Sequence, residues 1–245
     1  MVDKHLRLLR KLDRPPAGPN FARFIHDDPN RTAKAVMSFI KGLPPFNYLQ
    51  AYKAAKDRIE LGVAPEAAIR VATAGGAPIG RPHNEALIRA FLNYDQQRNF
   101  SAQNPIGFDV EYFRVSRDIA VPISPISIIR ERGKFVPIFM CGWSSLPLTL
   151  LQRRLLMTMY EDAFFSLTDY QDSPAEVLFF PKIGDGTMDR EAEIWRRGDY
   201  ELLSQDDLND CLENFLLARQ QVRQLITVEA LNSRRPGDDE PPGGT

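Results

Sequence analysis

The 245-residue sequence predicts an α+β protein: an N-terminal helical region, then a three-stranded meander, a helix, one or two further strands and a long C-terminal helix. Three observations predict it. Apolar residues recur at helical spacing as far as Tyr94. After Asn104-Pro105 the pattern changes, and Phe108 to Val115 alternates apolar and polar residues as a half-buried strand does. Helical spacing then returns, first in Leu148, Leu151, Leu155, Met159 and Ala163, and later in Leu208, Leu212, Phe215, Val222 and Ile226.

The elements follow in order. Residues 1–20 form a basic arm with a short helical pattern, closed by the Pro-rich connector Arg14-Pro-Pro-Ala-Gly-Pro-Asn20. Residues 21–83 are a helical region. Asp28-Pro29 supplies a cap and an early-turn proline for the helix through Ile40. A second helix runs from Tyr48 to Leu61 and stops at Gly62, and a third opens at Pro65. Thr73 to His83 reads as a loop, with Asn84 as the N-cap of the next helix.

Residues 84–231 form the α+β core. Its meander is Phe108–Val115, Ala120–Glu131 and Phe135–Trp143, with Gly133 at the tip of the second hairpin. The second strand is rich in β-branched residues, which suit extended structure. Ser144 or Ser145 caps a helix from Leu146 to Leu167. Ala175 to Pro181 is a short buried strand, the segment around Ile194 and Trp195 an edge strand, and Ser204-Gln-Asp-Asp207 opens the last helix. Residues 232–245 form a polar Pro/Gly tail with the composition of a disordered segment.

Composition narrows the function classes. With 43% hydrophobic and 26% charged residues, the chain is neither disordered nor a disulfide scaffold. Its length buries roughly 70–75% of the unfolded surface without staples. Two cysteines, Cys141 and Cys211, sit on apolar stripes and read as buried hydrophobes of a reducing compartment. No apolar run approaches the roughly 20 residues of a membrane helix, and the N-terminus has no secretory pattern, so the expectation is a cytoplasmic protein with no membrane contact. The net charge of −1 conceals a split: residues 1–100 hold 16 Lys/Arg against 9 Asp/Glu, and residues 101–245 hold 15 against 23. Such asymmetry marks a basic surface for nucleic acid, or two faces that attract each other in a homo-oligomer.

Three histidines and two distant cysteines give no metal-ligand spacing, so no soft-ligand metal or other cofactor is expected. Gly142-Trp-Ser-Ser145 lacks the second glycine of a nucleophile elbow. The glycines at 75, 76 and 80 lead into a helix, where Arg81 is the candidate anion ligand; the loop has no P-loop lysine. Arg153 and Arg154 flank the apolar stripe of their helix as candidate phosphate contacts, and Lys134 stands at the hairpin tip as a further binding candidate.

The order helix, three strands, helix, strand, helix resembles the PD-(D/E)XK nuclease core, the restriction-endonuclease-like fold, over about residues 84–231. In that family acidic residues on the first helix and on the second and third strands hold Mg²⁺, which activates water. Glu85 matches the first position. The second strand carries Ser124-Pro-Ile-Ser127 in place of the Asp, and the third carries Pro137 to Trp143 with neither carboxylate nor lysine. The resemblance therefore implies a catalytically degenerate core: a non-catalytic binding or architectural protein whose partner is a protein or a nucleic acid. The alternatives are a Mg²⁺-dependent nuclease with a migrated site at Glu85, Asp109 and Glu111, and a homo-oligomeric regulatory protein.

Overall fold

The boundary between helix and strand falls where the sequence periodicity changes. The structure is a computed structural model that describes residues 4–42, 44–100 and 105–232. Six helices come first: α1 (Lys4–Leu12), α2 (Gly18–Phe24), α3 (Pro29–Lys41), α4 (Leu49–Leu61), α5 (Pro65–Ala74) and α6 (Arg81–Arg98). Four strands follow, β1 (Glu111–Ser116), β2 (Ile119–Ile123), β3 (Ser127–Glu131) and β4 (Lys134–Cys141). Then come α7 (Leu150–Tyr160), which runs into a π-helical turn at Glu161–Phe165, β5 (Glu176–Phe179), β6 (Glu193–Arg196) and α8 (Gln205–Asn232). The 28 residues of α8 span about 42 Å.

Local chemistry explains most boundaries. The Asp28 side chain accepts from the Asn30 N–H and caps α3, and Pro29 occupies the first turn, where no donor is needed. Gly62 ends α4 in the left-handed region at φ 64°. Ser204 accepts from the Asp207 N–H at the start of α8. The second hairpin turns through Arg132 and Gly133, both at positive φ, as a tight two-residue turn between antiparallel strands requires.

The expected three-stranded meander is four strands in two sheets. The second predicted strand breaks at Ser124-Pro125, where proline cannot donate to a ladder. Its first half pairs with β1 as a two-stranded ribbon, and its second half opens the sheet β3-β4-β5-β6. Within that sheet β4 and β5 are parallel, joined across α7, and the outer pairs are antiparallel. Two caps also differ from expectation. Thr149, not Ser144 or Ser145, caps α7, because its hydroxyl and Gln152 form a reciprocal capping box. Asn84 is not a cap. It is buried inside α6, where its amide accepts from the Ala51 N–H and donates to the Asn47 and Gly80 carbonyls, stapling α4 to α6.

The sheet is buried on both faces. Val136 and Ile138 of β4 and Leu178 of β5 pack against α4, α5 and α6 through Ile59, Leu87 and Phe91. Their neighbours Phe139, Cys141, Val177 and Phe179 point the other way, into a core shared by α1, α2, α3, α7, α8 and the β1-β2 ribbon. The helical region of residues 21–83 thus serves both sides of the sheet: α2 and α3 on one, α4 and α5 on the other. Helix α1, the basic arm of the sequence, packs on α3 and α8 of its own chain. The predicted disordered tail falls, apart from Asn232, outside the described residues. Among the described residues no helix is long and apolar enough to cross a membrane.

Candidate functional site

Helix α1 has two unlike faces. Leu8 and Leu12 are buried against the core. Arg7, Arg10 and Lys11 lie off that face and, with Arg14 two residues past the helix, are spaced i, i+3, i+4 and i+7 and line one cleft. Lys11 is spent on structure: its ammonium donates to the Ile40 carbonyl at 3.1 Å and the Gly42 carbonyl at 3.3 Å, tying α1 to the end of α3. Asp13, just past the helix, accepts from Arg219 and Arg223 of α8, so its charge is compensated away from the stripe. Arg7, Arg10 and Arg14 are exposed and have no carboxylate within ion-pair distance among the described residues.

Aromatic rings from four separate segments form the facing wall: Phe39 from α3, Phe46 and Tyr48 from the loop before α4, Tyr52 from α4, and Trp143 from the segment after β4. Backbone and side-chain hydrogen bonds fix them. Tyr52 accepts from the Gly142 N–H at 2.8 Å, and burial pushes its phenol pKa up, so it stays neutral. Arg190 donates to the Tyr48 hydroxyl at 2.8 Å. Its other terminal nitrogen donates to the carbonyls of Phe180 at 2.8 Å and of Gly142 and Trp143 at 3.1 Å. Arg190 therefore clamps the carboxyl ends of the parallel strands β4 and β5, the end of a sheet where binding crevices form in open α/β folds. Phe46 stacks on His83 at 4.3 Å and meets Tyr48 edge-on at 5.3 Å.

The cleft encloses about 920 Å³, and among the described residues its lining contains no Asp or Glu. A neighbouring cavity of about 370 Å³ shares Asn20 and Phe39 with it and adds Arg23 and His26. The Arg23 guanidinium lies 5.6 Å from the centre of the Trp143 ring. Cations that no carboxylate neutralises, opposite half-exposed rings, can take phosphate charge and planar faces from one ligand.

The residues singled out in the sequence lie elsewhere. Glu85 is on the exposed side of α6, paired with Arg89 at 2.7 Å, and lines a cavity near Asp189 and Arg190. Asp109 and Glu111 come together beside Asp169 and Tyr170, in a different cavity that shares no residue with the first. Midway along β4, where the sequence resemblance would place a carboxylate, Phe139 stacks on Tyr160 at 4.3 Å. Among the described residues no three His, Cys, Asp or Glu side chains group as a metal site. Arg81 begins α6 and is exposed. Arg153 donates to the Leu148 carbonyl and the Tyr200 hydroxyl, and Arg154 to the carbonyls of Glu201 and Leu202. Both brace the segment before α8. Lys134 donates to the Asp172 carbonyl at 3.3 Å.

The second hairpin is not the free turn its composition suggests. Arg98 of α6 grips both oxygens of Glu131 at 2.7 and 2.9 Å and one oxygen of Glu176 at 2.6 Å, while Tyr94 donates to the other at 2.9 Å. This cluster pins α6 to the beginning of β5 and the tip of β3. Burial and the bonded Glu176 carboxylate raise the Tyr94 pKa.

Sequence reasoning isolated the basic arm but not the wall it faces. The i, i+3, i+4, i+7 cation spacing was the available signal; the rings come from positions 39 to 143 and share no pattern. Comparison with known proteins finds no matching family model, no similar curated protein and no similar solved structure. The reading of function rests on the cleft itself.

Proposed function

We propose that the protein is a non-catalytic nucleic-acid-binding protein and that the cleft between α1 and the end of β4 is its binding site. The phosphate backbone lies along Arg7, Arg10 and Arg14, whose guanidinium forks suit phosphate oxygens. The rings opposite receive bases. One observation carries this reading: three exposed arginines with no carboxylate partner among the described residues face a wall of aromatic side chains. An acidic lining would repel a polyanion, and the described residues of this one include no acidic side chain. The nuclease alternative asks Glu85, Asp109 and Glu111 to serve one ion, and their separation into two cavities favours binding without cleavage.

The test is fluorescence anisotropy of a labelled oligonucleotide with the full chain, titrated at several salt concentrations. Replacing Arg7, Arg10 and Arg14 together by Gln should weaken binding at least tenfold. For three lost single-strand phosphate contacts, the slope of log K against log salt should become shallower by about 2. The fold should tolerate the change, since exposed unpaired side chains contribute within about 0.5 kcal/mol each. Unchanged affinity and slope in a folded triple variant would remove the cleft as the site. Mg²⁺-dependent cleavage lost in Asp109→Ala would replace this reading with the nuclease one.

A further inference from the structure

Resting on that reading, we infer that the ligand is a single strand that threads two joined cavities, with Trp143 as the base-stacking platform between them. The main cleft and its neighbour share Asn20 and Phe39 in their linings, so the two cavities lie side by side between α1 and the start of α7. Cations line both cavities. Arg7, Arg10 and Arg14 line the first cavity, and Arg23 lines the second. A site with positive charge at one point holds a terminal phosphate; a site with charge spread along a path holds a chain of phosphates.

The middle of the path is aromatic. Trp143 lines the first cavity, and the guanidinium over its ring belongs to Arg23, which lines the second. Trp143 is half-buried, whereas Trp195, the other tryptophan, is 3% exposed and packed on Phe179. In a duplex the base faces are already stacked on one another, and aromatic side chains gain nothing from them. In a single strand each base has a face to offer, and stacking on a ring is indifferent to which base it is. The hydroxyls of Tyr48 and Tyr52 accept from Arg190 and from the Gly142 N–H, which holds both rings in place along the path.

The experiment measures anisotropy of labelled oligothymidylates of about 4, 8 and 16 nucleotides, the range of single-strand sites, and of duplexes of matching length. Affinity should rise with strand length until the path is filled, and should exceed that for the duplex. Trp143→Ala should lose about 5- to 150-fold on the long single strand, the usual range for one stacked base. Trp143→Phe should recover most of it, and the thermal midpoint of each variant separates a lost platform from a lost fold. Arg23→Ala should leave the shortest strand bound as before and abolish the gain from greater length. Tryptophan fluorescence of the unaltered chain should be quenched by the strand and not in Trp143→Phe, because Trp195 is shielded in the core.

Equal affinity for duplex and single strand, or a folded Trp143→Ala with wild-type affinity, overturns the inference. If the α1 arginine variant still weakens binding in that case, the cleft stands as a nucleic-acid site and only the threaded single strand falls. If the arginine variant also binds as the unaltered chain does, the cleft assignment falls with it.

Discussion

The two ends of the four-stranded sheet use arginine in opposite ways. Where β3 ends and β5 begins, Arg98 is enclosed by Glu131, Glu176 and the Phe100 ring, its donors shared between two carboxylates. Beyond the other end, where β4 runs out at Gly142, Arg7, Arg10 and Arg14 stand in a cleft with no carboxylate in its lining among the described residues. The contrast teaches that an arginine's role is set by its partners. A guanidinium that has found carboxylates inside the fold holds elements together. One that has found none stands with its charge exposed. Arg190, beside the cleft, holds elements together without a carboxylate, because its donors go to backbone carbonyls and a tyrosine hydroxyl.

Removing the partnered arginine gives the largest expected change. Arg98→Leu leaves the partly buried Glu131 unpaired and the buried Glu176 with Tyr94 alone, and should cost about 3 kcal/mol, the lower end for a broken buried pair because Glu131 reaches solvent and Tyr94 stays. Urea denaturation measures it, and nucleic-acid affinity should stay within twofold. A loss below about 1 kcal/mol would show that the cluster is ornamental and collapse the distinction between the two ends.

A smaller effect joins stability to the cleft wall. A Cβ on Gly142 would stand 2.6 Å from a Leu87 methyl and 3.0 Å from the Tyr48 ring, so Gly142→Ala should cost about 1–2 kcal/mol through overpacking. Because the displaced ring lines the cleft, binding should weaken as well. Destabilisation with wild-type affinity would mean that Tyr48 takes no part in binding.

The smallest effect is electrostatic. His83 lies near the cleft wall; burial first, and then the nearby cations Lys182 and Arg190, lower its pKa below 6.5. Burial first, and then Arg31, lower that of His26 against the raising influence of Asp27 and Asp28. The folded state thus binds fewer protons than the unfolded one in this window. The stability these residues contribute is present above about pH 6.5 and is lost as pH falls through their lowered values. The urea midpoint should drop on acidification from about pH 7 to about pH 5, and His83→Gln should shrink that drop. An unaltered drop in the variant would leave His26 or the carboxylates responsible.

Much of the scaffold was legible in the chain. Asp28-Pro29, Gly62, Pro65 and Ser204 punctuate helices where their chemistry says they should, and the buried stripes of α7 and α8 follow from 3.6-residue spacing. The misread places are those where a local signal competed with a partner far away. Asn84 has a capping side chain, yet α4 lies 33 positions upstream and takes its amide. Ser144 and Ser145 precede a helix, yet Thr149 has Gln152 three residues on and completes the reciprocal pair. The β-branched run from Ala120 to Glu131 reads as one strand until Pro125 divides it between two sheets.

By itself, then, the sequence determined most helices and their punctuation, the buried faces and the basic character of α1, because each depends on residues a few positions apart. Which cations would be neutralised was left to the tertiary structure. Asp13 meets Arg219 and Arg223 across more than 200 residues of chain, Arg98 meets Glu176 across 78, and the rings facing Arg7, Arg10 and Arg14 gather from four segments. Charge acts through space and not along the chain. The count of Lys and Arg was fixed by the sequence, and the place where their charge remains available was fixed by folding.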